Sequence, residues 1–311
     1  MADLSLLVLT LFWGTTFTLV KGALAIGSTG LFLASRFGVA CLVLGAVAAF
    51  RRDRLGPGFW RHGLLLGLFM LGGFLFQTLG LRLTTPARSG FITGMAVLVV
   101  PFVARFTLGR RVRWSAWAGV ALAVAGLVLL TRPFDAGAVT AEVRLGDLLT
   151  AGCALAYALQ IVFMSEWSRH HPLVPFTLLQ TAVALLGSLL LLPLEGVRFE
   201  AARWPEFAAV VAFTGVLMTA LAFFVMNWAQ RHTSAVRAAL IYALEPVTAA
   251  AFSWAVTGER LGAGGWAGGA LIVLGVVAGE LGAIAEARAE ARAVARAEAR
   301  RAPIAEGPAA T

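Results

Sequence analysis

The chain has 311 residues, 59% hydrophobic and only 13% charged, with a mean hydropathy of +0.85. A soluble domain carries about a quarter charged residues, so a water-soluble globule is excluded, and two cysteines exclude a disulfide framework. The net charge of +9 is placed in loops between apolar runs, where membrane topology accounts for it without a nucleic-acid partner.

Apolar runs of roughly 20 residues, the length of a bilayer-spanning helix, recur along the chain. They predict ten spans: Leu4–Ala25, Gly30–Phe50, Gly63–Leu81, Ser89–Leu108, Trp114–Thr131, Gly146–Trp167, Pro175–Leu194, Phe207–Ala229, Ala235–Thr257 and Gly264–Leu281. Backbone groups in lipid must be bonded within the segment, which makes these helices, and the runs are too long and continuous for barrel strands. The first run starts at Leu4 behind Asp3 without a basic leader, so it reads as a retained span rather than a cleaved signal. After Leu281 the chain turns to alanine, arginine and glutamate, which favour helix up to Pro303. Arg288, Arg292, Arg296 and Arg300 recur there every four residues, either as a solvated helix face or as a cationic stripe for lipid headgroups.

Arginines concentrate after spans two (Arg51, Arg52, Arg54, Arg61), four (Arg110, Arg111, Arg113), six (Arg169) and eight (Arg231), and in the tail. The other loops hold Lys21, Arg82, Arg132, Arg144, Arg198, Arg203 and Arg260, mostly beside acids such as Asp135, Glu142, Glu195, Glu200 and Glu259. Both termini are therefore expected in the cytoplasm. The histidines His62, His170, His171 and His232 lie in loops or at span ends, with no metal-ligand spacing. No metal and no cofactor are expected.

The stretch starting at Thr84 aligns without gaps on the one starting at Thr233, at an offset of 149. The register pairs Arg88 with Arg237, Gly109 with Gly258, Arg111 with Arg260, Trp117 with Trp266, Gly119 with Gly268, and Gly126 with Gly275. At an offset of 144, Asp3 meets Asp147, Trp13 meets Tyr157 and Arg36 meets Gln180. This predicts an all-α integral membrane fold whose ten helices form two five-helix repeats, residues 1–140 and 141–282, followed by a cytoplasmic tail, 283–311. Five is odd, so the second repeat enters the membrane from the opposite side. Inverted repeats of this kind are a common architecture of secondary transporters, with the substrate near the midplane between the halves.

Within the ninth span stands Glu245-Pro246. An acidic side chain at the centre of a span costs about 2.5–3.5 kcal/mol on insertion scales, and proline removes a donor and crowds the carbonyl of Tyr242. Three readings stay open for Glu245: a structural ion pair or hydrogen bond, contact with a substrate amine, or proton coupling. Other polar or aromatic residues inside apolar runs are Trp13, Thr15, Thr16, Gln77, Thr93, Tyr157, Gln160, Asn227 and Tyr242. They serve as interhelical glue or, together with Glu245, as the few polar anchors of an otherwise apolar cavity. Tyr157 and Gln160 share a helix face, and Trp13 and Thr16 repeat that spacing. Arg88 and Arg237, which open spans four and nine, either snorkel to headgroups or stand at the mouths of the pathway; with Glu245 and Pro246 they are the candidate coupling or gating residues. Arg36 lies inside span two and needs a partner that the sequence does not name.

The segments "WGTTF" (Trp13 to Phe17), "ASRFGVACLVL" in span two and "EPVTAAAFSWAVTGERL" (Glu245 to Leu261) resemble the first, second and ninth spans of the drug/metabolite transporter superfamily, EamA type. The resemblance runs to about residue 282. It implies a ten-helix carrier of the bacterial inner membrane that exports amino acids or other small metabolites, and within the group the chain is most similar to aromatic amino-acid exporters. Gly109-Arg110 departs from the Gly-Glu that such proteins often carry in the first half. A small-molecule substrate and the lipid bilayer are the expected partners, with no nucleic acid. The oligomeric state is open, a monomer being sufficient. The alternative is a multispan membrane enzyme, but the chain has no Gly-x-Ser-x-Gly, His-Glu-x-x-His or nucleotide-binding P-loop.

Overall fold

The computed structural model describes residues 1–84, 86–109, 112–131, 140–257 and 262–301. Arg110, Arg111, Arg132, Asp135, Gly258, Glu259 and Arg260, together with the end of the tail, lie outside the described residues. The helices are α1 (Ala2–Trp13), α2 (Thr16–Ile26), α3 (Thr29–Ala49), α4 (Phe59–Leu83), α5 (Pro86–Gly94), α6 (Ala96–Leu108), α7 (Trp114–Thr131), α8 (Ala141–Trp167), α9 (Leu173–Glu195), α10 (Trp204–Gly215), α11 (Ala222–Ala229), α12 (Ala235–Tyr242), α13 (Glu245–Thr257) and α14 (Ala263–Arg301). Among the described residues the only extended pairing is one isolated bridge between Gly27 and Phe199.

This is a multi-pass membrane protein. Seven helical segments are long and apolar enough to cross a bilayer, and α1 with α2, bent by 42°, makes an eighth. Two shorter apolar helices, Trp114–Leu130 and Ala263–Gly279, occupy the expected spans five and ten. Four expected spans are interrupted: the first at Gly14-Thr15, the fourth at Met95, the eighth by a π-helical turn over Val216–Leu221, and the ninth at Ala243-Leu244. At the C-terminal end, α14 runs without a break past residue 282 to Arg301.

The helices form one main apolar core and a small second cluster around Ala40, Leu44 and Ala220, with α4 lying along α8 and α9, α3 along α9, and α7 along α14. Phe32, Phe37, Phe176, Phe223 and Leu66 are fully buried in the main core. Glycine permits the α7–α14 contact. A Cβ at Gly126 would lie 2.6 Å from the Gly268 carbonyl, and one at Gly119 would lie 2.7 Å from the Gly275 carbonyl. Small residues let helix backbones approach closely in lipid, where apolar burial alone drives little association. Gly268→Leu is expected to separate α7 from α14 and to cost about 1–3 kcal/mol or more through overpacking. It should lower the melting temperature in detergent by several degrees. Gly22→Leu, where a Cβ meets nothing within 4 Å, should not.

Polar groups close both ends of the bundle. At one end the Glu195 carboxylate accepts from the backbone N–H of Thr29 at 3.1 Å and of Gly30 at 2.8 Å, and pairs with Arg82; an acid at a helix N-terminus is favoured by the helix dipole. Lys21 donates there to the carbonyls of Leu81 (2.7 Å) and Thr84 (2.8 Å). At the other end His62 Nδ1 and His171 Nε2 are 2.9 Å apart, the His62 ring stacks on Trp167, and Arg231 donates to the His171 carbonyl. Burial, and then the charges of His62, His170 and Arg231, hold the His171 imidazole below its ordinary value. The unfolded chain then binds more protons once pH falls below the ordinary histidine value of about 6.5. Stability should therefore be full above that pH and decline below it. The melting temperature is expected to drop between pH 7.5 and 5.5, with a shallower slope in His171→Gln.

Candidate functional site

Three of the four helix interruptions border one cavity, and the fourth, the π-helical turn, holds two of its lining side chains from behind. Pro246 has no N–H for the Tyr242 carbonyl, so α12 stops at Tyr242 and α13 restarts at Glu245, bridged by a tight bond from Leu244 N–H to Ile241 O (3.1 Å). Gly14, at the break between α1 and α2, packs directly on this restart: a Cβ there would lie 2.0 Å from Thr248 Oγ1 and 2.9 Å from the Glu245 carbonyl. In the fourth span the Met95 N–H is shared between the Phe91 (3.1 Å) and Ile92 (3.2 Å) carbonyls. At the offset of 149, Met95 corresponds to Leu244, so the breaks of the fourth and ninth spans coincide in the alignment. In the π-helical turn, the Met218 carbonyl is left to accept from Trp13 Nε1 (3.4 Å) and Arg36 Nη2 (3.3 Å). Irregular backbone at membrane depth is tolerated where it is buried in protein or lines a cavity, and π-turns often mark functional positions.

The cavity offers about 90 Å³ to the centres of water-sized molecules, within a wider space that is partly open to the outside. Trp13, Thr16, Gln77, Thr93, Tyr157, Gln160, Tyr242 and Glu245 all line it. Asn227 does not: it is fully buried, donates to Thr177 Oγ1 (3.2 Å) and the Phe223 carbonyl (2.9 Å), and accepts from Gln180 Nε2 (3.3 Å). Its amide joins α9 to α11. Pro246 sits behind the wall, 3.3 Å from where a Gly94 Cβ would be.

One side of the cavity is an arc of five aromatic rings. Centroids are 5.7 Å apart from Tyr242 to Trp13, 6.2 Å from Trp13 to Phe223, 5.8 Å from Phe223 to Phe74, and 5.8 Å from Phe74 to Tyr157. The Arg36 guanidinium lies over the Phe74 face at 4.4 Å, within cation–π range. Its Nε donates to Thr219 Oγ1 at 2.7 Å. Gln77 donates to Thr93 Oγ1 at 3.4 Å, and the Tyr242 hydroxyl accepts from Gln230 at 3.0 Å. The Glu245 carboxylate has neither a hydrogen-bond partner nor an ion-pair partner among the described residues. No group of three or more His, Cys, Asp or Glu among the described residues is placed to hold a metal ion.

Arg36, Phe74 and Phe223 complete the site beyond the residues read from sequence. Arg36 carried a signal as an intramembrane charge. Phe74 and Phe223 carried none, being two of 21 phenylalanines in apolar runs.

Arg88 and Arg237 lie away from the cavity, and each pairs with an acid of the opposite half. Arg88 pairs with Asp147, which also accepts from Thr84 Oγ1 at 3.0 Å; Arg237 pairs with Asp3 at 2.9 Å. Arg237 lines a second, polar cavity with Glu166 and Arg169, at the end of α8 away from Asp147. The nineteen residue steps of α8 from Asp147 to Glu166 (166 − 147) make about 28 Å of helix, so the two ion pairs stand at opposite ends of the bundle.

The profile of the EamA-like transporter family matches residues 1–132 and 144–278. An uncharacterized transporter of Archaeoglobus fulgidus is 30% identical over 276 residues, 89% of this chain and 84% of that protein. The aromatic amino acid exporter YddG of Ancylobacter novellus is 29% identical over 171 residues, 53% of this chain and 55% of that protein. A solved crystal structure superposes with a TM-score of 0.74 at 24% identity, covering 90% of this chain and 98% of the other, which speaks for the fold alone. A cavity ringed by broken helices and a family profile spanning both halves lead to one assignment: the chain belongs to the EamA-like transporter family.

Proposed function

We propose that this transporter is a secondary carrier that exports amino acids, those with aromatic or other apolar side chains foremost, through the central cavity by alternating access. The observation that carries the reading is a carboxylate, Glu245, without a partner among the described residues, at a helix break on the wall of an aromatic-lined cavity. Apolar rings suit the side chain and the carboxylate suits the amine. Likeness to an aromatic amino-acid exporter over half the chain supports the same substrate class.

Ten spans in two inverted repeats, 1–140 and 141–282, underlie the proposal, with the tail, 283–311, and both termini in the cytoplasm of a bacterial cell. Support comes from reciprocal contacts: Gly119 meets Gly275 while Gly126 meets Gly268, and in the alignment Gly119 equals Gly268 and Gly126 equals Gly275. The ion pairs follow the same pattern, because Arg88 aligns with Arg237 and Asp147 with Asp3. Contacts exchanged in this way are those a two-fold axis makes. On this reading each ion pair latches one face of the membrane.

The test is flux of labelled L-phenylalanine in proteoliposomes, with and without a pH gradient. Saturable flux competed by other apolar amino acids is expected. Flux no greater than in empty liposomes for every amino acid tried would overturn the substrate class. A pH-gradient dependence lost in Glu245→Gln would assign Glu245 to proton coupling.

A further inference from the structure

The central cavity holds a second group of polar atoms without adequate partners. Arg36 is 5% exposed, and its hydrogen-bond acceptors, Thr219 Oγ1 and the Met218 carbonyl, are both neutral. No carboxylate lies within ion-pair distance of it among the described residues. A buried charge without a counter-charge costs several kcal/mol. Gln160 is 1% exposed, and its Nε2, a donor of two hydrogen bonds, has no acceptor among the described residues; a buried donor left unmade costs about 1–3 kcal/mol. Both residues line the cavity. A guanidinium and an amide N–H₂ are the donors a carboxylate accepts from, and the Phe74 face beneath Arg36 fixes the plane of the fork.

Among the lining residues the charges are one cation, Arg36, and one anion, Glu245. A cavity of zero net charge with separated poles disfavours a dianion or a simple amine and suits a zwitterion. We propose that Arg36 and Gln160 form the carboxylate subsite of the cavity, with Glu245 taking the ammonium group of the same ligand. This rests on the amino-acid reading above and assigns the pole that reading leaves open. Arg36 lies over the Phe74 face and Glu245 lines the same cavity, so the ligand reaches from one charge to the other with its apolar side chain against the rings.

The experiment compares three ligands that differ only in their poles: L-phenylalanine, 2-phenylethylamine, which lacks the carboxylate, and 3-phenylpropionate, which lacks the amine. Binding to the purified full chain in detergent is read by calorimetry. Arg36→Gln should weaken phenylalanine and phenylpropionate about tenfold or more and leave phenylethylamine unchanged or tighter. Gln160→Glu should do the same by repelling the carboxylate, and it keeps the test open if Arg36→Gln does not fold. Arg36→Lys should recover part of the carboxylate binding. Equal weakening of all three ligands in both variants, or no weakening of any, would overturn the subsite. If phenylpropionate binding depends on Arg36 while no amino acid is transported, the subsite stands and the export reading falls. If phenylalanine is transported and bound with no dependence on Arg36 or Gln160, the reverse holds.

Discussion

Glu245→Gln is expected to leave the folded protein at least as stable as the wild type while weakening amino-acid binding about tenfold to a hundredfold. The two effects have one origin. A carboxylate inside an apolar helical segment, with no partner among the described residues, contributes desolvation cost and no interaction to the resting fold, so the neutral isostere relieves a penalty. Once a ligand ammonium arrives, the same carboxylate makes a charge-assisted hydrogen bond worth about 1.5–3 kcal/mol, or roughly tenfold to somewhat over a hundredfold in affinity. Residues that cost stability without a ligand and repay it with one mark binding sites, where stability and activity trade against each other. Melting temperature and L-phenylalanine affinity measured on the same preparation decide the matter. A lower melting temperature with unchanged affinity would show Glu245 to be structural.

Reversing one charge of an end-closing ion pair should slow transport about tenfold or more, and reversing both charges of that pair should restore it. The two pairs are formed together in this structure, and on the proposed reading each is a latch. A carrier opens to one side by breaking one latch while keeping the other, so the balance between its states depends on their difference. Weakening one side by about 1.4 kcal/mol shifts that balance roughly tenfold. Arg88→Asp places a like charge against Asp147, and Arg88→Asp with Asp147→Arg rebuilds the pair in the other sense. The same holds for Arg237 and Asp3. Initial rates of phenylalanine exchange in proteoliposomes supply the readout. A double reversal that folds, yet transports no faster than the single one, would remove the latch role.

The spans were legible because apolar runs and basic loops are written directly in composition. Their interruptions were only partly so. Pro246 announces the break of the ninth span, since a missing donor is a local property of the residue. The break at Gly14 is carried by one of 34 glycines, most of which serve packing. The one at Met95 follows Gly94, another glycine that also packs closely, against Leu127 and Pro246. The π-turn over Val216–Leu221 has an ordinary apolar sequence. It supplies the Met218 carbonyl to Arg36 and Trp13, which is why no partner for Arg36 could be named from sequence.

The cavity residues were found through one physical signal, a polar or aromatic group inside an apolar run, which must turn away from lipid. Asn227 obeys the same rule and satisfies itself on Thr177 and Gln180. Turning inward is a weaker property than facing a cavity, and only the packing of α9 against α11 distinguishes them.

The central claim is that the cavity opens in turn to the two faces of the membrane. Ala96 lines it and is small, so Ala96→Cys, with Cys41 and Cys153 changed to serine, reports on access. Labelling with a membrane-impermeant thiol reagent applied separately to each face should succeed from both. Asp147→Asn should raise the rate from its own face and lower it from the other, Asp3→Asn should do the reverse, and L-phenylalanine should protect. Labelling from one face only in all variants, or rates that rise together from both faces when either latch is removed, would contradict alternating access.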